Sequence, residues 1–188
     1  MSEIMMSGVL PRLILDGHKT QTRRSGKRWE SLNVGDVLHV REAFCAQYCS
    51  PYMEMPLGCA YRADWDRVKL DGLVPEPKWT PAAHMPLNLC RCRIRVTGIR
   101  REVLGNISES DAVAEGMEQL TILDLPYSRR KILDAIGAKN WAQAMMWFHA
   151  PPGKGATARD RFLVLARLMM GEEALSREYT VIEFEVVR

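Results

Sequence analysis

The hexapeptide Arg91-Cys92-Arg93-Ile94-Arg95-Val96 alternates strictly between guanidinium and apolar side chains. Successive side chains of a strand point to opposite faces, so the pattern predicts a strand with wet arginines and a buried Cys92, Ile94 and Val96. Tyr179 to Val187 alternates as well, with Thr180, Ile182, Phe184 and Val186 on one face. Strands of this kind suit antiparallel sheets that keep one face in water. Further short strands are expected over 37–41, after the turn Asn33-Val34-Gly35-Asp36, and over 61–63.

The remaining segments predict helices and loops. The apolar run Val9 to Asp16 reads as a short helix closed by Gly17, since glycine accepts the left-handed conformation that ends helices. Ser108 opens another, with Asp111 as a weak capping-box partner and Ile107 stapled onto Ala112, ending near Gly116. Residues 127–148 and 157–170 read as helices separated by Pro151-Pro152-Gly153. Ser25 to Asn33 reads as a charged loop, and 66–86, with four prolines, as a long irregular segment. The expectation is a single α+β domain over residues 1–188. A small, partly closed barrel would hide its sheet edges, and a helical elaboration at about 127–170 precedes the last strand.

Bulk properties narrow the class. At 188 residues the chain can bury a core without disulfides or metal. Its net charge of +3 is mild, so any nucleic-acid argument rests on where the charges sit. No apolar run approaches membrane-spanning length and the N-terminus lacks a secretory pattern, which predicts a cytoplasmic protein with no membrane partner. Cysteines 45, 49, 59, 90 and 92 are an odd number, unlike a secreted disulfide framework. Neither Cys45-x3-Cys49 nor Cys90-x-Cys92 is a strong zinc spacing, and Cys92 suits a small buried hydrophobe. No metal and no cofactor are expected, and the oligomeric state is left open.

Chemistry concentrates in Gly17-His18-Lys19-Thr20-Gln21-Thr22-Arg23-Arg24. Lys19 is a candidate proton acceptor, if burial or the neighbouring Arg23 and Arg24 lower its pKa. Thr22 is a candidate nucleophile or water-holding hydroxyl. Arg23 and Arg24 form a candidate anion clamp. In a regular strand residues 19 and 22 face opposite ways, so convergence requires a turn or bulge. The alternative is a solvated basic loop at a helix end.

Three other groups carry chemical potential. Glu115 falls in the last turn of its helix, facing the negative end of the dipole, where it can shuttle protons or simply stand exposed. Arg91, Arg93 and Arg95, with Arg100 and Arg101 beyond, either track a phosphate backbone or pair with Glu183 and Glu185. Trp79 and His84 lie on a proline-stiffened loop that can stack and hydrogen-bond a base, or anchor the loop.

Together these segments resemble the ASCH family, a branch of the PUA-like fold. The resemblance rests on Gly17-x-Lys19-Thr20-x-Thr22-x-Arg24, and is nearest the phage and prophage members with an Ile-Leu-Asp-Gly-x-Lys-Thr-Gln-Thr-Arg-Arg opening. Val34-Gly35-Asp36, Val40-Arg41-Glu42-Ala43-Phe44, Tyr61-Arg62-Ala63-Asp64, His84-Met85-Pro86, Ile107 to Gly116 and Val181-Ile182-Glu183-Phe184 extend it, whereas 127–155 has no counterpart. The resemblance implies a small β-barrel with flanking helices and a cleft for a modified nucleoside or RNA. One branch hydrolyses the acetyl amide of N4-acetylcytidine with a lysine, a threonine and a glutamate. Lys19, Thr22 and Glu115 match these, with Arg23, Arg24, Trp79, His84, Arg93 and Arg95 as substrate-binding candidates. The alternatives are a non-catalytic RNA-binding module or a metal-independent ribonuclease.

Overall fold

The computed structural model describes residues 2–46, 58–65, 76–124, 128–149 and 155–187. Its strands are β1 (Ser2–Met5), β2 (Gln21–Arg24), β3 (Val37–Arg41), β4 (Phe44–Cys45), β5 (Ala60–Tyr61), β6 (Cys92–Val103) and β7 (Glu178–Val187). Its helices are α1 (Leu10–Leu15), α2 (Lys27–Glu30), α3 (Glu109–Ala114), α4 (Arg129–Ile136), α5 (Trp141–His149) and α6 (Ala158–Met170). A five-stranded sheet runs in the order β1-β3-β6-β7-β2, and β4 pairs with β5. β2 lies antiparallel to β7 and β3 to β6, but β1 lies parallel to β3. The protein is therefore α+β with a mixed sheet.

Backbone contacts divide the chain into two compact units. The first comprises Met1–Gly17, Gly35–Val96 and Glu185–Arg188; the second comprises His18–Val34 and Thr97–Phe184. In the first, the alternation of β6 does what the sequence dictates: Cys92, Ile94 and Val96 are buried while Arg93 and Arg95 are exposed. Ile4, Leu38 and Val40 are buried in the same unit. Gly35, with φ of 97°, makes the turn into β3 and its N–H donates to Val96 O at 2.8 Å. Glu42 is buried in this unit, gripped twice by Arg91 (2.8 and 3.0 Å). Arg91 also bonds Asp64, which takes a further bond from Arg12 at 2.8 Å. Burial pushes the Glu42 carboxyl up, against the opposing pull of Arg91.

The second unit is built on capped helices. Ser108 Oγ accepts the Asp111 N–H and starts α3, with Ile107 and Ala112 buried as the staple predicts. Thr157 and Asp160 form a full capping box on α6. α6 packs against α3 and α4, and α4 against α5. Phe148 of α5 is 1% exposed, and burying such a ring contributes about 1.5–3 kcal/mol.

Several expectations need correction. The strand over 61–63 is only Ala60–Tyr61, because Arg62–Asp64 turns into a 3-10 helix. The charged loop 25–33 contains the short α2. The helix over 127–148 is two helices: Gly137 takes a left-handed conformation (φ 67°), and the Ala138 N–H donates to Leu133 O at 3.0 Å, closing α4. The strand over 91–96 begins at Cys92 and continues to Val103. Tyr179, Thr180, Val181 and Ile182 are all buried, so β7 is covered on both faces there and alternates only later. Tyr127, Pro151-Pro152-Gly153, residues 66–75 and Cys49 lie outside the described residues. Among the described residues no helix is long and apolar enough to cross a membrane, and no three His, Cys, Asp or Glu are placed to hold a metal.

Candidate functional site

The segment after Gly17 is fixed by its backbone before any side chain contributes. Gly17 has φ of 77°, where a side chain would be strained. Thr20 N–H then donates to Ala114 O at 2.8 Å, and Thr20 O accepts from the Phe184 N–H at 2.9 Å. Residue 20 is thus held between the end of α3 and β7. Lys19 folds inward at this point and is 2% exposed. Its ammonium donates to Gln21 O (2.8 Å), Glu115 O (3.0 Å) and Glu115 Oε2 (2.5 Å), which uses all three of its protons. The alternative of a solvated lysine fails here: this one is buried and saturated.

Glu115 caps the C-terminus of α3, its N–H bonded to Asp111 O at 2.9 Å, and Gly116 follows with φ of 90°. A carboxylate facing the helix's negative end needs compensation, and two cations supply it. Lys19 holds one oxygen, and Arg23 Nη1 holds the other at 3.1 Å. Arg23 Nη2 also donates to Glu102 (2.7 Å) and Asp111 (3.0 Å), while its guanidinium lies 5.5 Å from the Phe162 ring centre. Arg100 completes the network by bonding Asp111 (2.7 Å) and Glu183. The Gln21 amide fits when its nitrogen donates to Asp111 Oδ1 (3.2 Å) and its oxygen accepts from Arg23 Nη1 (2.8 Å).

These contacts set the electrostatics. Burial lowers the Lys19 pKa below the usual amine range; Glu115 opposes the shift, and Arg24 and Arg23 reinforce it. Burial likewise lowers that of Arg24, with Glu115 opposing. For Asp111 burial alone would raise the pKa, but the bonds from Arg100 and Arg23 outweigh it and hold the carboxyl below its ordinary value. A lysine depressed in this way, touching a carboxylate, is a pair across which a proton can pass.

Thr22 is 2% exposed on β2, opposite Ile182 of β7. Strand alternation gives it the face shared with Arg24, while Gln21 and Arg23 take the other. Among the described residues no hydrogen bond joins the Thr22 hydroxyl to Lys19 or Glu115. The structure therefore brings two of the three predicted catalytic groups into contact and leaves the third on the adjoining strand. Arg23, read as an anion clamp, is committed to three carboxylates of its own unit.

The other candidates belong to the first unit. Trp79 is half-buried, edge-on to Trp65 with ring centres 5.6 Å apart, and its Nε1 donates to Glu76 at 2.9 Å. His84 is exposed at the end of a 3-10 turn that starts at Ala82. Arg93 is exposed opposite His39, and Arg95 is exposed but paired with Glu185 at 3.0 Å. The pairing outcome thus holds for Arg95 with Glu185, as it does for Arg100 with Glu183.

Sequence reasoning missed Asp111, Arg100, Glu102 and Glu183 as members of the site. Asp111 reads as a capping-box residue because its spacing from Ser108 is right, yet its carboxylate turns away from the cap toward two arginines. The available signal was the strand parity that puts Arg100 and Glu102 on one face of the same long strand. Compared with family models, with characterised proteins and with solved structures, the chain matches none.

Proposed function

We propose that this chain is an amidohydrolase that removes the acyl group from N4-acylated cytosine nucleosides, on a PUA-like barrel of the ASCH type. The observation that supports it most is the Lys19–Glu115 contact: a buried amine of lowered pKa, 2.5 Å from a buried carboxylate. Neutral Lys19 takes a proton from the Thr22 hydroxyl, or from a water held by it, as that oxygen adds to the acyl carbonyl carbon. The carbonyl becomes an oxyanion. Arg24, on the same face of β2 as Thr22, serves it. The proton crosses to Glu115 and on to N4 as the C–N bond breaks. One water is consumed, and the products are the free cytosine nucleoside and a carboxylic acid. If Thr22 attacks directly, the same water later cleaves the acyl-threonine ester. Side chains and solvent supply every proton in this sequence, with no cofactor invoked.

The test is a panel of acylated cytidines incubated with wild type and Lys19→Ala, followed by mass spectrometry. Wild type releases cytidine and the variant does not. No turnover of any member by folded wild type would remove this function. A metal-independent ribonuclease would instead cut labelled RNA in the same incubation. An RNA-binding module built on the arginine stripe has less support, because Arg91 and Arg95 are neutralised by Glu42, Asp64 and Glu185.

A further inference from the structure

The charges of this chain are spread unevenly in a way its mild net value hides. Residues 128–149, the helical pair α4 and α5, hold Arg129, Arg130, Lys131 and Lys139 against a single acid, Asp134. That segment alone is net +3, the value of the whole chain, so the remaining 22 basic and 22 acidic residues cancel. All four cations are exposed. The arginines on and just before β6 mostly behave differently: Arg91, Arg95, Arg100 and Arg101 each sit in ion pairs. Among the described residues no ion pair takes up Arg129, Arg130 or Lys139.

Aromatic surface accompanies the charge. Trp141 and Trp147, on α5, are half-buried rather than packed away, and Met146 between them is 73% exposed. Arg129 lies 5.1 Å from the Trp141 ring centre, which places a cation and a π-face at the same spot. Sites that hold single-stranded nucleic acid combine these two components: cations for phosphates, and rings on which bases stack. The pair is also built into its unit. Phe148 is buried beneath Arg161 of α6 (5.5 Å), the Ala156 N–H donates to Trp147 O at 2.8 Å, and α6 carries Phe162 against Arg23.

We infer that the α4–α5 pair is a docking surface for single-stranded RNA, with Arg129, Arg130 and Lys139 on phosphates and Trp141 or Trp147 stacked on bases. The choice of RNA over other polyanions rests on the nucleoside-amide reading; the affinity for a flexible, base-bearing strand rests on the charges and rings.

The experiment is fluorescence anisotropy of a labelled 20-nucleotide single-stranded RNA over a salt series, with full-length protein. Wild type binds with a Kd of about 1–100 μM at low salt, and log affinity falls with log salt at a slope of about −2 to −3, as three or four neutralised phosphates require. Arg130→Glu/Lys139→Glu weakens binding at least tenfold and flattens the slope. Arg167→Glu/Arg177→Glu changes net charge equally on cations already paired with Glu172 and Glu173, and binds like wild type. Trp147→Ala weakens binding without changing the slope. Thermal melts verify folding of each variant, and Trp141→Ala serves if Trp147→Ala melts below the assay temperature.

The inference is overturned by absence of binding, by equal losses in the two charge-reversed doubles, or by equally tight binding of duplex RNA or anionic vesicles. Binding is read without turnover. A wild type that fails to hydrolyse acylcytidine leaves this result standing, and a failure here leaves the nucleoside assay standing.

Discussion

Lys19 Nζ and Glu115 Oε2 stand 2.5 Å apart with both side chains buried, and the same ammonium also donates to the Glu115 carbonyl at the end of α3. Removing one partner of such a pair leaves the other charged and out of water, at a cost of about 3–5 kcal/mol. Lys19→Met should therefore lose about that much stability in urea unfolding, as well as all hydrolysis. A loss below about 1 kcal/mol would mean that Glu115 is satisfied by Arg23 alone.

The pH profile follows from the direction of the Lys19 shift. The amine works as a base only when neutral, so kcat/KM for acylcytidine should rise with pH and level off above an apparent pKa below the 10.5 of a free lysine. A kcat/KM that falls as pH rises would remove Lys19 as the base in the proton-transfer step.

Asp111 makes a prediction in acid. Its carboxyl is held below the ordinary 3.8, so its contribution is present above that value and disappears as pH falls through the lowered one. Asp111→Asn should be less stable than wild type by about 1–2 kcal/mol at neutral pH, since two charge-assisted bonds are lost. The gap should close on acidification below pH 3.8. A gap constant down to pH 2 would place the loss in packing.

Thr22 separates hydroxyl chemistry from packing. Thr22→Val keeps the branched shape favoured in a strand opposite Ile182 and should retain the fold within about 1 kcal/mol. Its activity should fall at least about a hundredfold, with Thr22→Ser recovering most of it. Full activity in the valine variant would leave water, activated by Lys19 alone, as the attacking group.

The parts of the fold that could be read in the sequence are those where one residue type forces one geometry. The arginine–apolar alternation of β6, the Ser108 cap and the glycine ending the first helix all depend on local sterics and hydrogen bonding. β1 and β2 were not legible, because four-residue strands carry too little pattern and are defined by their partners β3 and β7. Gly137 was visible but ambiguous, since an isolated glycine in a helical pattern either weakens the helix or ends it. At the site, the meeting of Lys19 and Glu115 is separated by 96 positions, and no local periodicity reports such a contact. The family resemblance named both residues; the Arg23–Asp111–Arg100 network between β2, α3 and β6 had no such guide.

The last turn of α3 is fastened from outside, by the Thr20 N–H on Ala114 and the Lys19 ammonium on Glu115. A lysine drawn toward a substrate lets go of half that clasp. The molecule would then be looser in mid-cycle than at rest, and each turnover would include the fraying and re-closing of one helical turn. Anything that locks α3 shut, whether a bound ligand or a stiffer sequence, would slow the proposed hydrolysis while making the protein harder to unfold.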